Sequence, residues 1–149
     1  MAERKIEDMD TNFKQAAPVA DEKGIVWRAP TDGPFEVRGL WWYKENDYGY
    51  SRLPKRAAQI VRPYVWSLGQ CPASGRVCFR TDSTMLALRH ENSRTGNMVH
   101  FAITGSDGLF VYEGEPLLER PWNMSVPYLG GTAMEKEIVR DMPRRMRTF

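Results

Sequence analysis

Gly75-Arg76-Val77-Cys78-Phe79-Arg80-Thr81-Asp82-Ser83-Thr84-Met85-Leu86-Ala87-Leu88 is the stretch whose reading decides the fold. Side chains alternate across an extended chain, so Val77 and Phe79 share one face and residues 76–80 are predicted as a strand. The four short polar residues Thr81 to Thr84 can bond neighbouring backbone groups and suit a reversal. Residues 85–88 then resume an extended apolar run, and the whole reads as strand, corner, strand.

Towards the N-terminus, Leu53, Ala57, Ile60 and Val61 recur at helical spacing. Pro54 suits a first helical position and Pro63 ends the pattern, predicting one short helix. Residues 64–68 read as a strand and 69–75 as a loop. Residues 25–27 and 35–37 are short β-prone runs separated by Ala29-Pro30-Thr31-Asp32-Gly33-Pro34, a cluster of turn formers. Residues 1–24 are polar, carry Pro18 and Gly24 as breakers, and read as a flexible leader.

Towards the C-terminus, residues 98–104 and 109–112 are predicted as strands joined across Gly105-Ser106-Asp107-Gly108, with Gly114 marking another reversal before residues 116–118. The last stretch carries Arg140, Arg144, Arg145 and Arg147, with Pro143 interrupting any helix. The sequence stops on Phe149 as though a strand were beginning. Short strands at ~8–12-residue intervals with one short helix predict an all-β, jelly-roll-like β-sandwich over residues 25–149.

Composition narrows the function classes. At 149 residues the chain suits one domain. Twenty-one basic against 19 acidic residues give a net charge of +2, which implies no field that would steer the chain onto nucleic acid or anionic lipid. The N-terminus lacks an apolar signal core, and no run approaches the ~18 apolar residues of a membrane span, so a cytoplasmic protein is expected. Cys71 and Cys78 then read as free thiols. The paired spacing of zinc sites is absent, and neither metal nor cofactor is expected.

The order of several landmarks resembles the N-terminal domain that precedes the catalytic domain in certain bacterial SGNH/GDSL-type esterases, named for a Gly-x-Asp-Leu-Tyr motif. These landmarks are Val26-Trp27, Pro34-Phe35 leading to Gly39, Arg52-Leu53-Pro54, Gly75 to Ser83, Met98 to Phe101, and Gly105 to Tyr112. The sequence departs from the motif at one position: Gly108-Leu109-Phe110-Val111-Tyr112 carries Phe110 where the aspartate belongs. Any role of that carboxylate is lost. The resemblance implies that an apolar strand closing the sandwich, and then the hydrolase, follow a segment like residues 142–149. The expected fold is therefore a sandwich lacking its last strand, with an unpaired edge.

The resemblance also implies a Gly-Asp-Ser block, oxyanion donors and a late Asp-x-x-His for catalysis, and none of these strings occurs, so no catalytic residue is expected here. Thr81-Asp82-Ser83 imitates the first, but a nucleophile elbow sits between strand and helix, whereas this one sits at a corner between strands. His90 and His100 are the only histidines available as a general base. His100, amid Met98-Val99-His100-Phe101, is the candidate to line a cleft shared with the catalytic domain. Trp41-Trp42-Tyr43, with Tyr48 and Tyr50, suits either a protein interface or sugar rings. Strand alternation would place Trp41 and Tyr43 on one face and Trp42 on the other. The C-terminal arginines suit phosphate, but Glu135, Glu137 and Asp141 dilute their field.

The expected function is thus that of a non-catalytic accessory domain whose partner is the SGNH catalytic domain of the same polypeptide, the parent enzyme cleaving acyl esters on carbohydrate. The alternatives are a stand-alone carbohydrate- or protein-binding module and an autonomous hydrolase using Ser83.

Overall fold

A computed structural model describes residues 24–91, 100–114, 123–125 and 133–149. Among them the chain is built mainly from short strands: β1 (Glu36–Arg38), β2 (Arg76–Cys78), β3 (Arg80–Thr81), β4 (Leu86–Glu91), β5 (Leu109–Val111), β6 (Asn123–Ser125), β7 (Ala133–Val139) and β8 (Arg147–Thr148). Its helical residues fall in a 3-10 turn (Lys55–Gln59) and the short helices α1 (Pro63–Gly69) and α2 (Ile103–Ser106). The strands form antiparallel pairs, β1 with β2, β3 with β8, β4 with β7 and β5 with β6. This is an all-β chain.

Two compact units divide these elements, the first made of residues 26–81 and 146–149. In it, Val37 lies opposite Val77 in the β1–β2 pair. Phe79 and Phe149 exchange both backbone hydrogen bonds, at 3.0 and 2.9 Å, extending the β3–β8 pair. Their rings stack with centroids 5.5 Å apart, and Phe35 meets Phe79 edge-on at 5.3 Å. Leu40 and Phe149 are buried. Gly39 makes the tight entry to this core, at φ +78° against the Ser74 carbonyl.

The second unit comprises the described part of residues 82–145 together with residues 24–25. Its frame is the β4–β7 ladder, which runs from Glu91 opposite Ala133 to Leu86 opposite Val139, with a bulge between Leu86 and Ala87. Arg89 faces Glu135 across the ladder and pairs with it at 2.6 Å. Ile138 and Met142 are buried, and the Met142 amide donates to the Thr84 carbonyl at 2.8 Å. In this unit Arg144 pairs with Asp82, Arg145 with Glu113, and Arg140 with Glu137. These exposed pairs are each worth less than about 1 kcal/mol. They give much of the arginine-rich end a carboxylate partner.

Several expectations are corrected. Residues 64–68 are helical, because Pro63 occupies the first helical position of α1 and starts a helix there where the periodicity had it end one. The expected helix over 53–61 survives as the 3-10 turn, with Pro54 extended at its N-cap. Residues 25–27 carry no strand pairing. Residues 103–106 turn helically, with Gly105 and Ser106 both bonded to the Ala102 carbonyl, so the strand expected to run to residue 104 gives way at Ile103 to a helical turn that takes in the first half of the expected 105–108 turn. Residues 1–23, 98–99 and 116–118 lie outside the described residues.

Candidate functional site

The sequence pointed to Trp41, Trp42 and His100. The two tryptophans belong to the first unit and His100 to the second. His100 is exposed and its ring meets that of Phe101 edge-on.

Trp41 and Trp42 open an aromatic loop whose backbone is not a strand. The Tyr43 amide bonds to the Leu40 carbonyl, that of Asn46 to Trp42 and that of Tyr48 to Tyr43, a run of turns that ends with Asp47 and Tyr48 at left-handed φ of 51° and 62°. Strand alternation therefore does not apply: Trp41 is 89% exposed while Trp42 and Tyr43 are both half-buried. Tyr43 gathers Tyr48 and Tyr50 around it at 5.5 and 5.3 Å. Burial, and then the hydrogen bond with Tyr43, raise the Tyr50 phenol well above its ordinary pKa, so it stays neutral.

Asn46 holds this loop in place. Its buried amide donates to the Leu53 carbonyl at 2.9 Å and accepts from the Lys55 amide at 2.8 Å. The Ser51 hydroxyl lies 2.9 Å from the Leu53 carbonyl and 3.1 Å from that of Gly69, and the Arg52 amide also donates to Gly69. Backbone groups that no strand or helix serves are thus satisfied by two side chains. Lys55 pairs with Asp47 and Arg56 with Glu45 at the rim. The result is a fixed loop presenting one indole to solvent.

Next to it lies a surface that sequence periodicity missed. On α1, Tyr64, Val65 and Leu68 fall within one arc of the helix and are 74%, 44% and 42% exposed. Trp66 is half-buried, and Gly69 faces inward against Leu53. A surface helix ordinarily buries an apolar stripe of this width; α1 turns it outward. The adjacent Ile60 is also exposed, at 79%. The spacing of 64, 65 and 68 carried the signal, but it was invisible while these residues read as a strand.

Ser83 lies exposed between β3 and β4, at a corner between strands as the sequence implied. His90 stands on β4 opposite Met134, with Nε2 buried and without a hydrogen-bond partner among the described residues. Burial holds its pKa below the ordinary 6.5. The unfolded chain therefore takes up a proton at a higher pH than the folded one. Stability is fully present at about pH 7 and declines as pH falls below about 6.5, until the folded pKa is passed. Urea midpoints measured across that interval should fall with pH in the native chain and lose this component in His90→Leu. Phe110 is exposed on β5, between half-buried Leu109 and Val111. Among the described residues no group of three or more His, Cys, Asp or Glu is placed to hold a metal ion, and no helix is long and apolar enough to cross a membrane.

Residues 25–149 match the model of the GxDLY family, described as the N-terminus of the SGNH-hydrolase-type esterases. No curated protein and no solved structure matches.

Proposed function

This chain belongs to the GxDLY family, the N-terminus of SGNH-type esterases, and from that membership we propose that it is the accessory domain of such an enzyme, packed against the hydrolase and shaping access to its cleft. The carrying observation is the extent of the match, which takes in the chain from Ile25 to Phe149. In this reading the strand pairs close into a jelly-roll-like sandwich with a strand that follows residue 149. The hydrolase supplies the nucleophile and cleaves acyl esters, with carbohydrate as the acylated substrate. His100 lines the shared cleft from this side. The thiols of Cys71 and Cys78 suit work in the reducing cytoplasm, and the paired arginines serve the fold rather than phosphate.

Ester turnover tests the division of labour. The 149-residue chain alone should hydrolyse nitrophenyl acetate no faster than buffer, and Ser83→Ala should change nothing. Joined to its hydrolase it should be active. Removing residues 25–149 should then raise KM for acylated polysaccharide more than for the small ester. Turnover by the chain alone that is lost in Ser83→Ala would overturn the assignment.

One observation favours a second reading. Trp41 is 89% exposed on a loop that Asn46 fixes, the presentation a sugar-stacking or protein-binding residue needs. If the chain is a stand-alone binding module, Trp41→Ala weakens binding to soluble glycans without moving the thermal midpoint.

A further inference from the structure

Residues 76–81 form one extended run in which β2 and β3 meet at Phe79. Successive residues of such a run turn their backbone N–H and C=O groups to opposite edges. Phe79 gives both of its groups to Phe149, at 3.0 and 2.9 Å, so β8 lies along the edge that Val77, Phe79 and Thr81 serve. With the Phe79 amide engaged there, β1 pairs through the even-numbered residues on the other edge, Glu36 with Cys78 and Arg38 with Arg76. The rings agree with this arrangement: Phe35, Phe79 and Phe149 stand side by side at 5.3 and 5.5 Å, as side chains in one cross-strand row do. The backbone N–H and C=O of Val77 therefore face the β8 edge, one step beyond Phe149, and neither has a partner among the described residues.

We propose that this open edge is filled by the residues that follow Phe149 in the same polypeptide, which carry β8 onward past Cys78, Val77 and Arg76 in antiparallel register. The proposal rests on the accessory-domain reading, in which the polypeptide continues into its hydrolase, and adds where the next residues lie. Register selects this occupant. Thr81 faces Arg147, Arg80 faces Thr148 and Phe79 faces Phe149, so without any turn the first residue after Phe149 comes opposite Cys78 and the second opposite Val77, where it exchanges both backbone bonds. A second copy of the chain fits less well. Phe149 already fills the place opposite Phe79, so an antiparallel β2 from another copy could pair along no more than Arg76–Cys78 before meeting it. Alternation puts the second residue after Phe149 on the same face as Phe149 and in the row of Val37 and Val77; an apolar side chain belongs there.

Hydrogen exchange at the Val77 amide tests this, comparing the 149-residue chain with the polypeptide that continues into its hydrolase. Continuation should slow the Val77 amide about tenfold, the worth of one backbone hydrogen bond, while the Phe79 amide is protected in both. Proline placed as the second residue after Phe149 has no N–H for the Val77 carbonyl; it should return the Val77 amide to its fast rate and leave Phe79 protected. A Val77 amide that exchanges equally fast in both, in a polypeptide that hydrolyses esters, overturns the proposal while the accessory-domain reading stands. Protection that survives the proline, or that grows with protein concentration, overturns it too, the first marking another segment at this edge and the second another copy. A polypeptide that contains no hydrolase overturns both.

Discussion

Replacing Phe149 with alanine should destabilise the unit formed by residues 26–81 and 146–149 by about 3 kcal/mol, read as a lower urea midpoint at unchanged slope. Phe149 is 7% exposed and its ring stacks on Phe79, which in turn meets Phe35. Truncating a buried phenylalanine forfeits its transfer free energy and leaves a cavity, typically costing about 3–5 kcal/mol. The lower end applies because Phe79 and Phe35 are half-buried and can settle into the gap. The loss is nonetheless large for this unit, since among the described residues its buried apolar side chains are few, Leu40, Pro54 and Phe149. Phe149→Leu should recover most of it. A midpoint unchanged in Phe149→Ala would mean that the β3–β8 pair does not hold this unit together.

Gly39→Ala should be comparably damaging, for a backbone reason. The residue sits at φ +78°, where an L side chain costs roughly 1–2 kcal/mol. Its new Cβ would also fall well inside contact distance of the Ser74 carbonyl, a backbone atom that cannot rotate away. Overpacking of this kind adds about 1–3 kcal/mol, so a total near 3 kcal/mol is expected. The damage should be local at first, because Gly39 leads into Leu40, whose side chain packs under Gly75. Loss of Leu40 burial would free the aromatic loop that follows. The thermal midpoint of Gly39→Ala should fall, and the Trp41 and Trp42 fluorescence should redden as Trp42 becomes wet. A variant as stable as the native chain would show that the entry to the loop relaxes freely.

The strand-corner-strand reading of residues 76–88 was legible because period-two alternation and short polar turn residues are local signals, and β2, β3 and β4 fall there. Pairings were not legible. Arg89 meets Glu135, and Phe79 meets Phe149, through contacts between residues far apart in sequence. Pro63 misled because the same ring that stops a helix also fits its first position; the apolar run after it therefore read as a strand, and the outward face of α1 went unseen. The tryptophan loop failed differently. Alternation presupposes an extended chain, but the buried side chain of Asn46, bonded to Leu53 and Lys55, folds residues 41–48 into turns. A single asparagine between aromatic residues gives no sign of that in a sequence. The family landmarks survived these errors because they rest on residue order, which does not depend on local conformation.

The most direct measurement of the central claim is the sequence of the DNA that follows the Phe149 codon. An accessory domain of an SGNH-type esterase requires the frame to continue into an apolar strand and then a Gly-Asp-Ser block. A stop codon there, with no hydrolase joined to the chain, would contradict it.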